Sequence, residues 1–163
     1  MNYFELFEIP VSLKVDKESL SKKYFELQKK YHPDFFTQSS EDEKLEALDK
    51  SSLINKALKT LQNEDETIKY VLQQKQLLAE EEKYTLPPDF LMEMLELNEA
   101  VMEEEPAAVT KKIEVVEADL YREVEVIIDT YKEGITTNEE LLQVKEYYYK
   151  KKYLQRILDR IDG

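Results

Sequence analysis

His32 is the one histidine among 163 residues, and it stands in the run Lys29-Lys30-Tyr31-His32-Pro33-Asp34-Phe35-Phe36. An imidazole and a carboxylate two positions apart are residue types used in general acid–base chemistry. The proline between them changes what they can do. It has no N–H and disfavours the α region for the residue before it, so a helix arriving from the N-terminal side stops at about Tyr31. His32 and Asp34 are therefore expected on an exposed turn, with lysines behind and aromatics ahead. No third orienting group, oxyanion donor or nucleophile accompanies them, so an enzyme is not expected. With no cysteine and one histidine, the usual zinc and non-haem iron ligand sets cannot be assembled, and neither a metal nor any other cofactor is expected. The pair is better suited to being recognised by another protein.

The elements around the turn are legible from periodicity. Asp16 is a credible N-cap, with Glu18 near the positive end of the helix dipole. Leu20, Tyr24, Leu27 and Tyr31 then recur at helical spacing as one apolar stripe. At about 100° per residue, Lys22 and Lys29 fall nearly opposite that stripe, with Lys23 and Lys30 beside them. A solvated face balanced by Glu26 is the plain reading of such lysines. Running directly into a rigid His-Pro-Asp turn in an acidic chain, they read instead as a docking surface for an acidic partner. Thr37–Ser40 is a polar loop. Ser40 and Glu43 have capping-box spacing, which predicts a second long helix from about Glu41, with Ile54, Ala57, Leu58 and Leu61 inward. Tyr3–Phe7 predicts a short helix ahead of this pair, and Ile68, Tyr70, Val71 and Leu72 a further short one after it. The first domain is expected over residues 1–78.

Residues 79–88 combine a charge run with Pro87-Pro88 and predict a linker. Beyond it, helical patterns cover roughly 89–104, 107–132 and 138–161. Asp89 is expected to cap the first and Gly134 to sit at C′ of the second. Thr137 with Glu140 forms a capping box for the third. The second carries Val109, Ile113, Val116, Leu120, Val124, Ile127 and Tyr131 near a heptad seam. The third carries Leu141, Val144, Tyr147, Leu154, Leu158 and Ile161. Short connections predict a three-helix bundle over 89–163, and with no strand pattern anywhere the fold class is all-α. The first of these helices has an extra apolar face. Relative to Phe90, the core stripe of Met94, Leu97 and Val101 lies within about 40°, Leu91, Leu95 and Met102 lie about 100–140° away, and Met92 lies at about 200°. Leu91 and Leu95 could still belong to a wide core face that also covers the first domain. Met92 is hard to bury in the same bundle as Phe90. A Met/Leu patch bordered by Glu96 and Glu99 has the chemistry of a protein-binding site.

Charge and hydropathy limit the partners. A net charge of −13 repels backbone phosphates, so nucleic acid is not expected. No run is apolar enough to span a bilayer and Met1–Glu5 has no signal-peptide pattern, so no membrane partner and a cytoplasmic location are expected. The expected form is a monomer.

The lysine-faced helix, the His-Pro-Asp turn and the helix containing Ile54-Asn55-Lys56-Ala57-Leu58-Lys59-Thr60-Leu61 resemble the J-domain. That is the module by which DnaJ-type co-chaperones stimulate the ATPase of a DnaK-type chaperone. Many J-domains carry a basic residue where Thr67 stands here. The J-domain followed by a Pro/Asp-initiated Phe90-Leu91-Met92-Glu93-Met94-Leu95-Glu96-Leu97 helix is similar to the HscB family, J-type co-chaperones of iron–sulfur cluster assembly. The resemblance implies that Lys22, Lys23, Lys29, Lys30, His32, Pro33 and Asp34 engage a DnaK/HscA-type chaperone. It implies that Leu91, Met92, Leu95, Glu96 and Glu99, with Tyr153 on the last helix, bind an IscU-type scaffold protein. Two other classes fit the sequence less well. A general DnaJ-type co-chaperone calls for a Gly/Phe-rich linker or a cysteine zinc module, and the chain has neither. An acidic helical adaptor would use His-Pro-Asp merely as a turn.

Overall fold

The computed structural model describes residues 1–162, and among these every regular element is helical. The chain divides into two units, Met1–Val71 and Leu72–Gly163.

In the first unit, α1 (Tyr3–Phe7) is capped by Asn2, whose side chain accepts from the Glu5 N–H. It buries Phe4 and Phe7. α2 (Lys17–Tyr31) begins at Asp16, whose carboxylate accepts from the Ser19 hydroxyl at 2.7 Å and the Ser19 N–H at 3.1 Å. Those bonds hold the Asp16 carboxyl below its usual range. α2 stops at Tyr31 because His32 is extended, at φ −63° and ψ 131°, as the following proline demands. A 3₁₀ turn over Pro33–Phe36 follows, and α3 (Glu41–Leu61) starts where Ser40 Oγ accepts from the Glu43 N–H. α2 and α3 are antiparallel and bury Leu20, Ile54, Ala57 and Leu61. Each buried Leu or Ile is worth about 1.5–3 kcal/mol relative to exposure. The rest of the α2 stripe, Tyr24, Leu27 and Tyr31, is only half-buried. Tyr24 uses its hydroxyl at the α2–α3 seam, donating to Asn55 Oδ1 at 2.9 Å.

α4 (Glu64–Gln74) meets the end of α3 through Thr67, which is 1% exposed. Its hydroxyl lies 2.8 Å from the carbonyl oxygen of Asn63 and 3.2 Å from that of Thr60. A basic side chain would have to leave this buried position to keep its charge solvated, whereas threonine satisfies carbonyls at the end of α3 from within. Thr67→Val keeps the shape and removes the hydroxyl, so stability should fall by about 1–3 kcal/mol. Thermal melts check this, and an unchanged Tm would show that the hydroxyl contributes nothing.

The second unit is a three-helix bundle of α5 (Pro88–Glu103), α6 (Pro106–Asp129) and α7 (Asn138–Asp162). Its core brings Phe90, Met94, Leu97 and Ala100 of α5 against Val109 and Ile113 of α6 and Leu154 and Ile157 of α7. α7 opens with the full capping box: Thr137 Oγ1 accepts from the Glu140 N–H, and Glu140 Oε1 accepts from the Thr137 N–H, both at 3.1 Å. Two helix ends differ from expectation. Pro87, not Asp89, is the N-cap of α5, because Pro88 can occupy the first helical position without losing a hydrogen bond; Asp89 lies in the first turn. α6 ends at Asp129, where the Thr130 hydroxyl donates to the Val126 carbonyl at 2.6 Å. Gly134 is left-handed, at φ +80°, but serves the later turn in which the Ile135 and Thr136 N–H groups donate to the Lys132 carbonyl.

The segment before α5, expected to finish the first domain and then form a linker, is bound to the bundle. Lys75 pairs with Glu133, and Glu82 lies 2.7 Å from Lys145 Nζ. The Tyr84 ring stacks on Tyr149 with centroids 4.6 Å apart.

Candidate functional site

The His-Pro-Asp turn is a capped, exposed knuckle. His32 Nδ1 accepts from the Asp34 N–H at 3.2 Å, and the Phe35 N–H donates to the His32 carbonyl at 3.0 Å. Accepting at Nδ1 leaves Nε2 as the donor of the neutral ring. The Asp34 carboxylate stands 3.6 Å from Nδ1 and most of it is open to solvent. The Phe35 ring meets the imidazole edge-on at 6.1 Å. Because α2 runs directly into this knuckle, its lysines and the turn form one continuous surface.

The four lysines are not equivalent. Lys23 is partly covered and lies 3.7 Å from Glu26, and Lys30 Nζ sits 5.3 Å from the centroid of the Tyr31 ring. Lys22 and Lys29 are exposed and carry no ion pair among the described residues, which leaves their charge available to a partner. Phe25, which is not among the expected docking residues, is 64% exposed. The same helical arithmetic could have found it, since it lies three residues after Lys22 and four before Lys29, inside the cationic face. Phe35 is equally exposed beside His32.

In the second unit, α5 separates its faces as the periodicity predicts. Phe90, Met94 and Leu97 are buried, while Leu91, Met92 and Leu95 are 41%, 60% and 52% exposed. Glu96 and Glu99 are exposed beside them and also line a groove of about 500 Å³ towards α6, with Glu93, Glu103 and Lys112. The apolar face is thus bounded by carboxylates on its α6 side. On the opposite side is the α5–α7 seam, marked by the Arg160 guanidinium donating to Asn98 Oδ1 at 2.9 Å. Tyr153 is half-buried at that seam, its ring edge-on to Phe90 at 6.2 Å. It therefore stands beside the start of α5 and borders the side on which Leu91 lies, though it packs on the core rather than projecting alone.

A helix pair closed by a His-Pro-Asp turn, with a cationic face leading into it, defines the J-domain class, and residues 2–70 match the DnaJ domain model. Residues 86–162 match a second model, described as the HSCB C-terminal oligomerisation domain. With both in this order, the chain belongs to the HscB family of J-proteins. Among its relatives, the co-chaperone protein HscB homolog of Photobacterium profundum is 39% identical over 100 residues, or 61% of this chain and 58% of that protein. The match thus spans less than two thirds of the relative. The solved structure of the chaperone HscB from Vibrio cholerae is similar with a TM-score of 0.75 and 26% identity, over 99% of this chain and 96% of that one. The crystal structure of the human co-chaperone protein HscB gives 0.83 and 27%, over 99% and 81% respectively. Among the described residues, no helix is long and apolar enough to cross a membrane.

Proposed function

We propose that this protein is a co-chaperone of iron–sulfur cluster assembly that delivers an IscU-type scaffold protein to a DnaK/HscA-type chaperone and stimulates its ATPase, acting in the cytoplasm. The observation that carries the reading is the pairing, in one chain, of two dissimilar surfaces. One is a cationic helix ending in an exposed His-Pro-Asp knuckle, and the other is an apolar helix face flanked by carboxylates. In this reading Lys22, Lys29, His32 and Asp34 meet the chaperone, with Lys23, Lys30 and Pro33 supporting them, and Leu91, Met92, Leu95, Glu96, Glu99 and Tyr153 meet the scaffold. The nucleotide chemistry belongs to the chaperone. This chain contributes a coupling free energy by binding one chaperone state better than another, and it raises the effective concentration of scaffold at the chaperone by holding both.

The test is steady-state ATP hydrolysis by a purified DnaK-type chaperone with this protein, with an IscU-type scaffold, and with both. Stimulation by both together is expected to exceed the sum of the two alone. Equal stimulation with and without scaffold would overturn the delivery reading.

Charge reversal at Lys22 and Lys29 is expected to weaken chaperone association mainly through the on-rate. Stability should change little, because both side chains point away from the buried Leu20. Association of the unaltered protein should weaken steeply with added salt. Stimulation that stays flat from low to high salt would rule out electrostatic docking.

A further inference from the structure

α7 carries a surface stripe that the two sites above use at only one position. Tyr149, Lys152, Tyr153 and Arg156 recur at i, i+3, i+4 and i+7, which places them along one side of the helix. The segment from Glu82 to Leu86 runs along that side and encloses with it a groove of about 340 Å³. The wall of the groove is built. Glu82 and Lys145 neutralise each other at 2.7 Å, and the same ammonium lies 5.5 Å from the centroid of the Tyr84 ring, which stacks on Tyr149. The Lys145 hydrogen bond holds the Glu82 carboxyl below its usual range, and burial pushes the Tyr149 phenol up to about 12. At neutral pH the groove therefore presents an internally balanced pair and a neutral phenol.

The cations at its mouth are not balanced. Lys83, Lys152 and Arg156 line the groove, are exposed, and have no ion pair among the described residues. Exposed lysines and arginines add little to folding stability even when paired. Three unpaired cations around tyrosine rings, in a chain of net charge −13, match an anionic ligand with apolar side chains.

We propose that this groove binds an acidic segment of the polypeptide seated on the exposed face of α5, its carboxylates on Lys83, Lys152 and Arg156 and its apolar side chains on the tyrosine rings. Charge complementarity selects acidic residues. Continuity selects the polypeptide: Tyr153 lines the groove and also packs against Phe90, whose neighbours Leu91 and Met92 begin the exposed α5 face. A small inorganic anion would engage the cations and leave the three rings unused. The inference rests on the delivery reading only for which polypeptide is bound.

Fluorescence anisotropy with the full chain and a labelled Glu-Leu-Glu-Glu-Tyr-Glu peptide tests it, with the corresponding lysine-for-glutamate peptide as reference. The acidic peptide is expected to bind and the basic one not. Lys152→Glu with Arg156→Glu, and separately Lys83→Glu on the opposite wall, should each weaken binding about tenfold or more, since attraction becomes repulsion. Lys111→Glu, a charge reversal on α6 away from the groove, should not. Equal binding of both peptides, or unchanged affinity in both groove variants, overturns the proposal. Binding of inorganic phosphate without binding of the acidic peptide overturns the assignment to a polypeptide. Purified scaffold separates the two readings. If the acidic peptide binds and scaffold does not, the groove stands and delivery falls. If scaffold binds unaltered and groove-reversed protein equally and the peptide does not bind, delivery stands and the groove falls.

Discussion

A His32→Gln variant is expected to leave the chaperone ATPase at its unstimulated rate while far-UV helicity and scaffold affinity stay as they were. The side chain lies outside the buried stripe of α2 and is about half open to solvent, so its replacement leaves no enclosed cavity. Surface substitutions of this kind usually change stability by within about 0.5 kcal/mol. What the variant loses is specific to the knuckle. The flat ring holds the Asp34 N–H at Nδ1, meets Phe35 edge-on, and presents Nε2 at the end of the cationic helix. Glutamine carries both an acceptor and a donor, but on a longer, flexible side chain that is not held against Phe35. Loss of helicity would instead make His32 a structural residue, against its exposure. Full retention of stimulation would remove the turn from the chaperone surface.

The second large effect concerns the two faces of α5. Alanine at Met92, Leu95 and Glu99 together is expected to reduce scaffold affinity by several kcal/mol, since hot-spot truncations commonly cost about 2 kcal/mol or more each. All three side chains are exposed, so the melting temperature should hardly move. Phe90→Ala is the opposite case. Its ring is 4% exposed, edge-on to Tyr153 and under Lys150 Nζ at 5.4 Å, so its removal should cost the bundle roughly 3–5 kcal/mol. About 200° of helix rotation separates Phe90 from Met92, which is why the two effects should be separable. Calorimetry with purified scaffold and thermal melts of each variant decide it. An early melt of the triple variant with a fully folded but non-binding Phe90→Ala would reverse the two faces. Unchanged affinity in both would leave a J-domain whose bundle has some other role.

Much of this architecture was legible because the signals are local. Pro33 sets the backbone of His32, Ser40 reaches Glu43, and Thr137 and Glu140 cap each other, all within three residues. The two faces of α5 follow from helical spacing alone, and so does the exposure of Lys22 and Lys29. That same spacing held information about Phe25, which lies within the lysine face. What the chain could not announce depends on partners far away in sequence. Thr67 stands where many J-domains carry a basic residue, and its role emerges only when α4 folds back on the end of α3, where a hydroxyl can satisfy carbonyls that a cation could not approach without desolvation. Residues 79–88 read as a linker because a charge run leads into Pro87-Pro88, which cannot continue a helix. Only the folded bundle brings Lys145 and Tyr149 to Glu82 and Tyr84 and pins them. The α6 end likewise fell to Thr130, whose hydroxyl closes the last turn before the chain reaches Gly134. Capping, proline geometry and periodicity act over one or two turns and are written in the sequence. Burial, ion pairing and ring stacking between distant segments exist only once the tertiary structure has brought those segments together.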